Sequence, residues 1–185
     1  AEMKICILGD SVSRGVLFNA EDSRYVCGKN GFAERLAADG NVVDNMSVFG
    51  CTVTKGMQLA QRHQQRLEGA DVVLLEFGGN DCDYHWDEIA ADPDANHVPN
   101  TVMDCYLESY TKLIYMVQAC GAEPLYVPAL AENGFLPDYA ALPENVLARI
   151  AAVYVCSPSN PEGAVATQAY WDKLFTLAER HTSSC

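Results

Sequence analysis

The sequence predicts an α/β fold, a three-layer α/β/α sandwich around a central parallel sheet. Four short apolar runs of strand length alternate with segments that have helical spacing of apolar residues. The run at residues 71–77, DVVLLEF, is almost continuously apolar, which is typical of a strand covered on both faces. Parallel strands joined by right-handed crossovers place every loop that follows a strand at the same edge of the sheet.

The individual elements follow from apolar runs and from helical spacing. Strands are predicted at residues 4–8, 41–46, 71–77 and 122–130. Helices are predicted at residues 31–38, 54–67, 102–120 and 163–181. A polar loop is expected after Ser11, residues 146–155 fit either a helix or a strand, and residues 157–162 form a turn-rich break.

Length and charge limit the functions that the chain can serve. Its 185 residues fit one domain, residues 1–185, in which residues 82–101 form an acidic, aromatic insertion of the kind that serves as a lid. The formal net charge of −13 argues against nucleic-acid partners and against anionic membranes, because phosphates would be repelled. The expected partner is a small molecule.

The eight cysteines form no C-x-x-C pair and do not cluster with histidine at zinc-like spacing. We therefore expect reduced, mostly buried thiols in a cytoplasmic protein, with no metal and no cofactor. Neither a signal peptide nor a membrane-spanning stretch is expected.

Three loops carry the residues that could take part in a chemical reaction. Ser11, Gly50 and Asn80 each stand just beyond a predicted strand, so they should meet at one edge of the sheet. A serine hydroxyl is a nucleophile once a base takes its proton, and ester hydrolysis also needs donors for the oxyanion. The Ser11 and Gly50 backbone N–H groups and the Asn80 side-chain amide are suitable donors.

In this combination the chain resembles the SGNH (GDSL-type) hydrolases. The resemblance rests on three blocks in order, at residues 9–11 (Gly-Asp-Ser), Gly50, and residues 79–81 (Gly-Asn-Asp). It implies a flavodoxin-like sheet, Ser11 as nucleophile, and an oxyanion hole completed by Gly50 and Asn80.

The flanking acids have a structural role in this interpretation. Asp10 and Asp81 are expected to hold loops by hydrogen bonds rather than to take part in the reaction.

The family's final block, Asp-x-x-His, is not found in the chain. One explanation is a truncated or altered end that lacks the last strand and helix and with them the base. A second is a different base, His85 or His97 on the insertion. A third is that residues 157–163 are a decayed form of the block. His181 is interpreted as a solvated helix end.

The leading hypothesis is a serine esterase that acts on small acyl esters, such as O-acetyl groups on carbohydrate. Tyr84 and Trp86 could stack on a sugar ring, and Asp83 and Asp87 could accept from its hydroxyls.

Two other functions stay open. One is a binding module that lacks the base. The other is a metal-dependent phosphatase built on Asp10, Asn80 and Asp81, which is weaker because the chain lacks the usual histidine spacings. An exposed edge strand would also favour pairing with a second copy of the chain, as a homo-oligomer.

Overall fold

The computed structural model describes residues 2–121, 123, 125–150, 153, 155–159 and 162–182. The chain divides into two compact units, Glu2–Glu123 and Pro124–Cys185. Each unit has secondary structure of its own, and the sheet belongs to the first.

The first unit contains a parallel sheet, a hairpin and helices. In chain order its elements are β1 (Lys4–Gly9), β2 (Val16–Asn19), β3 (Arg24–Cys27), α1 (Phe32–Ala38), β4 (Val42–Asn45), α2 (Val53–Arg62), α3 (Gln64–Leu67), β5 (Val72–Glu76), α4 (Trp86–Ala91) and α5 (Met103–Ala119). The sheet has the order β4-β1-β5 with both pairs parallel, and β2 and β3 form a separate antiparallel ribbon. The predicted α/β class with a central parallel sheet is confirmed.

The central strand β1 is buried on both faces, because its side chains alternate between two cores. Cys6 and Leu8 point into a core that helices α2 and α5 complete, and its buried members are Cys6, Leu8, Met46, Val53, Ala60, Leu67, Leu113 and Val117. Ile5 and Ile7 point the other way, into a core that α1 completes with Ala33. Helices on both faces make the three predicted layers.

The strand predicted at residues 122–130 is wrong at the positions that the structure describes, 123 and 125–130, none of which is in a strand. Residues 122 and 124 lie outside the described residues. Tyr126 is 73% exposed and Leu125 is also exposed, so little burial favours a strand here. Pro128 in addition has no N–H to give to a ladder. Among the described strands, β5 is thus an edge of the sheet.

Two further segments of the first unit differ from the predictions. The helix predicted at residues 54–67 is interrupted at His63, whose φ of −120° is not helical, and so it forms α2 and α3. The expected polar loop after Ser11 contains the β2–β3 hairpin, whose exposed Phe18 and Tyr25 rings pack edge to face with centroids 5.3 Å apart.

The cysteines are less buried than expected. Cys27, Cys82, Cys105 and Cys156 are exposed, and Cys185 lies outside the described residues. The seven described cysteines are all free thiols. The prediction of mostly buried thiols is therefore wrong.

The second unit is built from short helical segments and one long helix. They are two 3-10 turns (Ala131–Asn133 and Tyr139–Ala141), α6 (Glu144–Leu147) and α7 (Gln168–Thr182). Leu147, Ala166 and Leu174 are its buried apolar residues, and the Tyr170 hydroxyl donates to the Pro137 carbonyl at 2.9 Å.

The sequence predictions for this unit are met in part. The helix predicted from residue 163 begins at Gln168. The segment at 146–155, predicted as helix or strand, has regular structure only where α6 reaches Leu147, as far as it is described. Residues 151, 152 and 154, and residues 160 and 161 of the turn-rich break, lie outside the described residues.

No helix of the described residues combines the length and the apolar character that crossing a bilayer requires.

A glycine inside α2 allows the helix to approach the sheet. A Cβ on Gly56 would lie 2.2 Å from Phe77 Cζ, which follows β5. Replacing a glycine in the middle of a helix by alanine ordinarily raises the free energy of unfolding by about 0.5–1 kcal/mol. Here we expect Gly56→Ala to lower the free energy of unfolding instead, by about 1–3 kcal/mol, because the Phe77 ring must move. Urea denaturation measures the change. The exposed neighbour Gln58→Ala is the control and should be close to neutral; equal stability of the two variants would contradict the close contact.

Candidate active site

The loops that follow β1, β4 and β5 meet at one edge of the sheet. Asn80, after β5, donates from Nδ2 to Asp10 Oδ2 at 2.8 Å and to the Cys51 carbonyl oxygen at 3.3 Å. The Val48 N–H donates to the Gly9 carbonyl at 3.1 Å, which joins the second loop to the first. The three predicted site residues Ser11, Gly50 and Asn80 therefore stand in loops that are hydrogen-bonded to one another.

Ser11 is partly exposed, above a buried polar layer. Its carbonyl accepts from the Val16 N–H at 2.9 Å, which closes the nucleophile loop into a tight turn. Within the described residues, neither the Ser11 hydroxyl nor its backbone N–H has a hydrogen-bond partner. Both groups are thus available to a bound molecule.

Gly50 has a left-handed backbone, with φ of +65°. A Cβ built on it would meet no atom within 4 Å, so the backbone conformation, not crowding, favours glycine here. No described residue accepts a hydrogen bond from the Gly50 N–H, and the Ser11 N–H likewise has no acceptor among them. The backbone N–H groups of Ser11 and Gly50 are therefore both without a partner among the described residues.

Beneath Ser11 lies a pair of carboxyl groups. Asp10 is 3% exposed, and its Oδ1 accepts from the Val12 N–H at 2.8 Å. Glu76, the last residue of β5, accepts from the buried Ser13 hydroxyl at 2.8 Å and from the Asp10 N–H at 3.4 Å. Burial raises the pKa of Asp10, and the neighbouring Glu76 carboxyl adds to the rise.

Asp81 anchors a helix. Its carboxylate is 2% exposed, and its two oxygens lie 3.0 and 3.1 Å from the Val53 N–H at the start of α2. A carboxylate at a helix N-terminus satisfies an N–H that would otherwise have no partner, and it also faces the positive end of the helix dipole. The hydrogen bonds predicted for Asp10 and Asp81 are thus present, and that neither residue takes part in the reaction stays a prediction.

The insertion at residues 82–101 is closed at its base. Asn100 donates from its backbone N–H to the Asp83 carbonyl at 2.7 Å and from Nδ2 to the Asn80 carbonyl at 3.0 Å. Asp83 Oδ1 accepts from Trp86 Nε1 at 2.7 Å and from the Tyr84 N–H at 2.9 Å. These bonds lower the pKa of Asp83, the Trp86 bond most of all, so this side chain organises the insertion.

The four histidines contact groups other than the Ser11 hydroxyl. His97 Nε2 lies 2.7 Å from the Asp92 carbonyl oxygen, and His85 precedes α4. His63 separates α2 from α3, and His181, in the second unit, lies 3.5 Å from Glu144 Oε1. In the part of the chain that the structure describes, no histidine is hydrogen-bonded to Ser11, and no three His, Cys, Asp or Glu side chains are grouped to hold a metal ion.

Sequence reasoning did not identify Glu76, Ser13 and Asn100, which support the site. Glu76 had a visible signal, because it interrupts the apolar run that follows Asp71 and precedes Gly78. Ser13 and Asn100 had none, because their partners are 63 and 20 residues away along the chain.

Curated proteins similar to part of the chain are aminotransferases. An LL-diaminopimelate aminotransferase of Dehalococcoides mccartyi (strain 195) is 39% identical over 64 residues, which are 35% of this chain and 16% of that protein. The enzyme of the same name from Moorella thermoacetica is 31% identical over 123 residues, which are 63% of this chain and 30% of that protein. The chain thus spans less than a third of the length of these relatives.

A solved structure and a family model also match most of the chain. The crystal structure of a lipase/acylhydrolase from Enterococcus faecalis aligns with a TM-score of 0.41 and 19% identity, over 96% of this chain and 94% of that one. The model of the GDSL-like lipase/acylhydrolase family matches residues 7–162, which include Ser11, Gly50 and Asn80. The chain therefore belongs to the GDSL-like lipase/acylhydrolase family of hydrolases.

Proposed function

We propose that the chain is a serine hydrolase of small acyl esters, with Ser11 as the nucleophile. The observation that carries the proposal is the meeting of three loops around a partly exposed hydroxyl with two unpaired backbone N–H groups, those of Ser11 and Gly50. An ester carbonyl needs such a combination of nucleophile and donors.

In the proposed reaction, a base takes the Ser11 hydroxyl proton while Oγ attacks the ester carbonyl carbon, and the base returns this proton to the alcohol as it leaves the tetrahedral intermediate. The same base then takes a proton from the water that attacks the acyl-serine and returns it to Ser11 Oγ as the acid is released. The Ser11 and Gly50 N–H groups bond the oxyanion. Asn80 becomes the third donor when it exchanges its longer bond, 3.3 Å to Cys51, for the substrate oxygen, and it keeps the 2.8 Å bond to Asp10.

The base is not bonded to Ser11 in the absence of substrate, because no described histidine is hydrogen-bonded to its hydroxyl. Catalytic hydrogen bonds are often long without substrate, so His85 and His97 of the insertion stay candidates. The alternative is a module of the same fold that binds its ligand and lacks the base. Such a protein would keep its oxyanion donors and lose most of its rate.

An acylated carbohydrate, such as an O-acetylated one, is the proposed kind of substrate. Tyr84 and Trp86 lie with ring centroids 6.2 Å apart, and Trp86 is 64% exposed, so an aromatic surface is available on the insertion. Asp87 is exposed and is proposed to accept from a sugar hydroxyl. Asp83 is less suited to that role, because it already accepts from Trp86 and Tyr84.

The second unit is assigned no catalytic group in this proposal. Ser11, Gly50 and Asn80 all lie in Glu2–Glu123, whereas His181 of the second unit lies 3.5 Å from Glu144 Oε1 of the same unit. We propose that the second unit supplies no catalytic group to the esterase. The groups that act on the ester then all lie in Glu2–Glu123.

Labelling by a fluorophosphonate tests the nucleophile. We expect Ser11 to be labelled and Ser11→Ala to abolish the label, because the probe needs an activated hydroxyl near oxyanion donors. Ser23→Ala, which removes an exposed serine of the hairpin, is the matched control and should be labelled like the original chain. Mass spectrometry locates the adduct. If the folded original chain is not labelled, the result would contradict the proposal of a serine hydrolase and favour a binding module that lacks the base.

A pair of asparagine variants separates the oxyanion role from loop support. Asn80→Ala should lower kcat for p-nitrophenyl acetate by about 10²–10³-fold, which corresponds to a loss of about 2.7–4 kcal/mol of transition-state stabilisation. Asn100→Ala removes only the bond to the Asn80 carbonyl and should have a much smaller effect. Stopped assays on both folded variants give the comparison. Equal losses would mean that Asn80 acts by holding the loop.

Replacement of a histidine tests whether the second unit takes part in catalysis. His181→Gln should leave kcat/KM for p-nitrophenyl acetate unchanged, because the proposal assigns all catalytic groups to the first unit. His85→Gln and His97→Gln are measured beside it. A loss of roughly a hundredfold or more in His181→Gln alone would identify this residue as the base and refute the separation.

A further inference from the structure

A cavity of about 500 Å³ opens beside the nucleophile loop, between the hairpin and the end of β4. Val16 lines it, and the Val16 N–H is bonded to the Ser11 carbonyl at 2.9 Å. Phe49 lines it as well and directly precedes Gly50. The cavity therefore adjoins two of the three loops of the candidate active site, and its size is within the range of about 300–1,000 Å³ that is usual for small-molecule sites.

One side of the cavity is apolar. Tyr25 and Phe49 line it with ring centroids 5.8 Å apart, and Val16, Val48 and Leu59 extend this wall. The rings of Tyr25 and Phe49 are largely exposed, so a bound hydrocarbon chain would remove apolar surface from water.

The charged groups that line the cavity are all basic, namely Arg14, Arg66 and, when protonated, His63. Arg66 is neutralised by Asp44, which accepts from Arg66 Nε at 2.8 Å and from Nη2. Arg14 has no carboxylate partner among the described residues, and its contact is the Asn45 carbonyl at 3.4 Å. An unpaired guanidinium at a cavity is notable in a chain with a net charge of −13.

A residue that lines the cavity has a buried hydroxyl without a described partner. Ser47 is 4% exposed, and its Oγ, which has almost no accessible surface, has no hydrogen bond within the described part of the chain. A buried polar group without a partner is costly, and a ligand oxygen that came within hydrogen-bond distance of Oγ would satisfy it.

We propose that this cavity binds an acyl group that ends in a carboxylate, so that the preferred substrates are monoesters of dicarboxylic acids. The carboxylate lies on Arg14 and Ser47, and the methylene groups lie against Tyr25 and Phe49. The ester part of this inference rests on the proposed hydrolase function, whereas the binding of the anion rests on the cavity alone.

Two esters of equal chain length test the substrate preference. They are p-nitrophenyl hydrogen adipate, which ends in a carboxylate, and p-nitrophenyl hexanoate, which ends in a methyl group. The original chain should have the higher kcat/KM for the adipate ester, and Arg14→Gln should lower the adipate-to-hexanoate ratio roughly tenfold. Lys29→Gln, an exposed lysine outside the cavity lining, should leave the ratio unchanged. A preference for hexanoate, or a ratio that Arg14→Gln does not change, overturns the inference and leaves the hydrolase standing.

Calorimetry tests the cavity if neither ester is hydrolysed, an outcome that would refute the proposed function instead. Adipate should bind and the neutral 1,6-hexanediol should not, with weaker adipate binding in Arg14→Gln and in Ser47→Ala. Without ligand, Ser47→Ala should not have a lower melting temperature, because it removes an unpaired buried hydroxyl. No adipate binding, or equal binding of the diol, overturns the inference.

Discussion

The hydrogen bond of 2.8 Å from Asn80 Nδ2 to Asp10 Oδ2 is the contact on which the candidate site depends. It joins residues 70 apart in the chain, one after β1 and one after β5. The same amide reaches the Cys51 carbonyl, so one side chain connects the three loops. Because Asp10 is buried, the bond lies in surroundings of low dielectric constant, where hydrogen bonds are strong and unpaired groups are costly.

Buried and exposed groups of the site have different tasks. Asp10, Ser13 and Asp81 are almost fully buried, and each is bonded to another loop, strand or helix. Ser11 and Gly50, in contrast, keep N–H groups without a described partner. The loops are thus held by side chains below, while donors and a hydroxyl stay available above. Such a division suits a site in which donors must be in place before charge develops.

The chain is similar to two kinds of protein. The hydrolase family model includes all three blocks of the site and extends to residue 162. The aminotransferases that match are much longer proteins, of which the chain spans 16% and 30%. In our proposal the groups that act on the ester are those of the first unit, where Ser11, Gly50 and Asn80 lie.

The sequence by itself determined the α/β class, the strands around residues 4–8 and 71–77, and the positions of Ser11, Gly50 and Asn80, because apolar runs and the turns that follow them are local signals. Tertiary structure decided what depends on distant partners. The run at 122–130 is apolar enough for a strand, yet none of its described residues is in a strand and most of them are exposed. Likewise, the partner of Asp83 and the unpaired state of Ser47 follow from which side chains and surfaces meet, since burial and hydrogen bonding are properties of the packed chain.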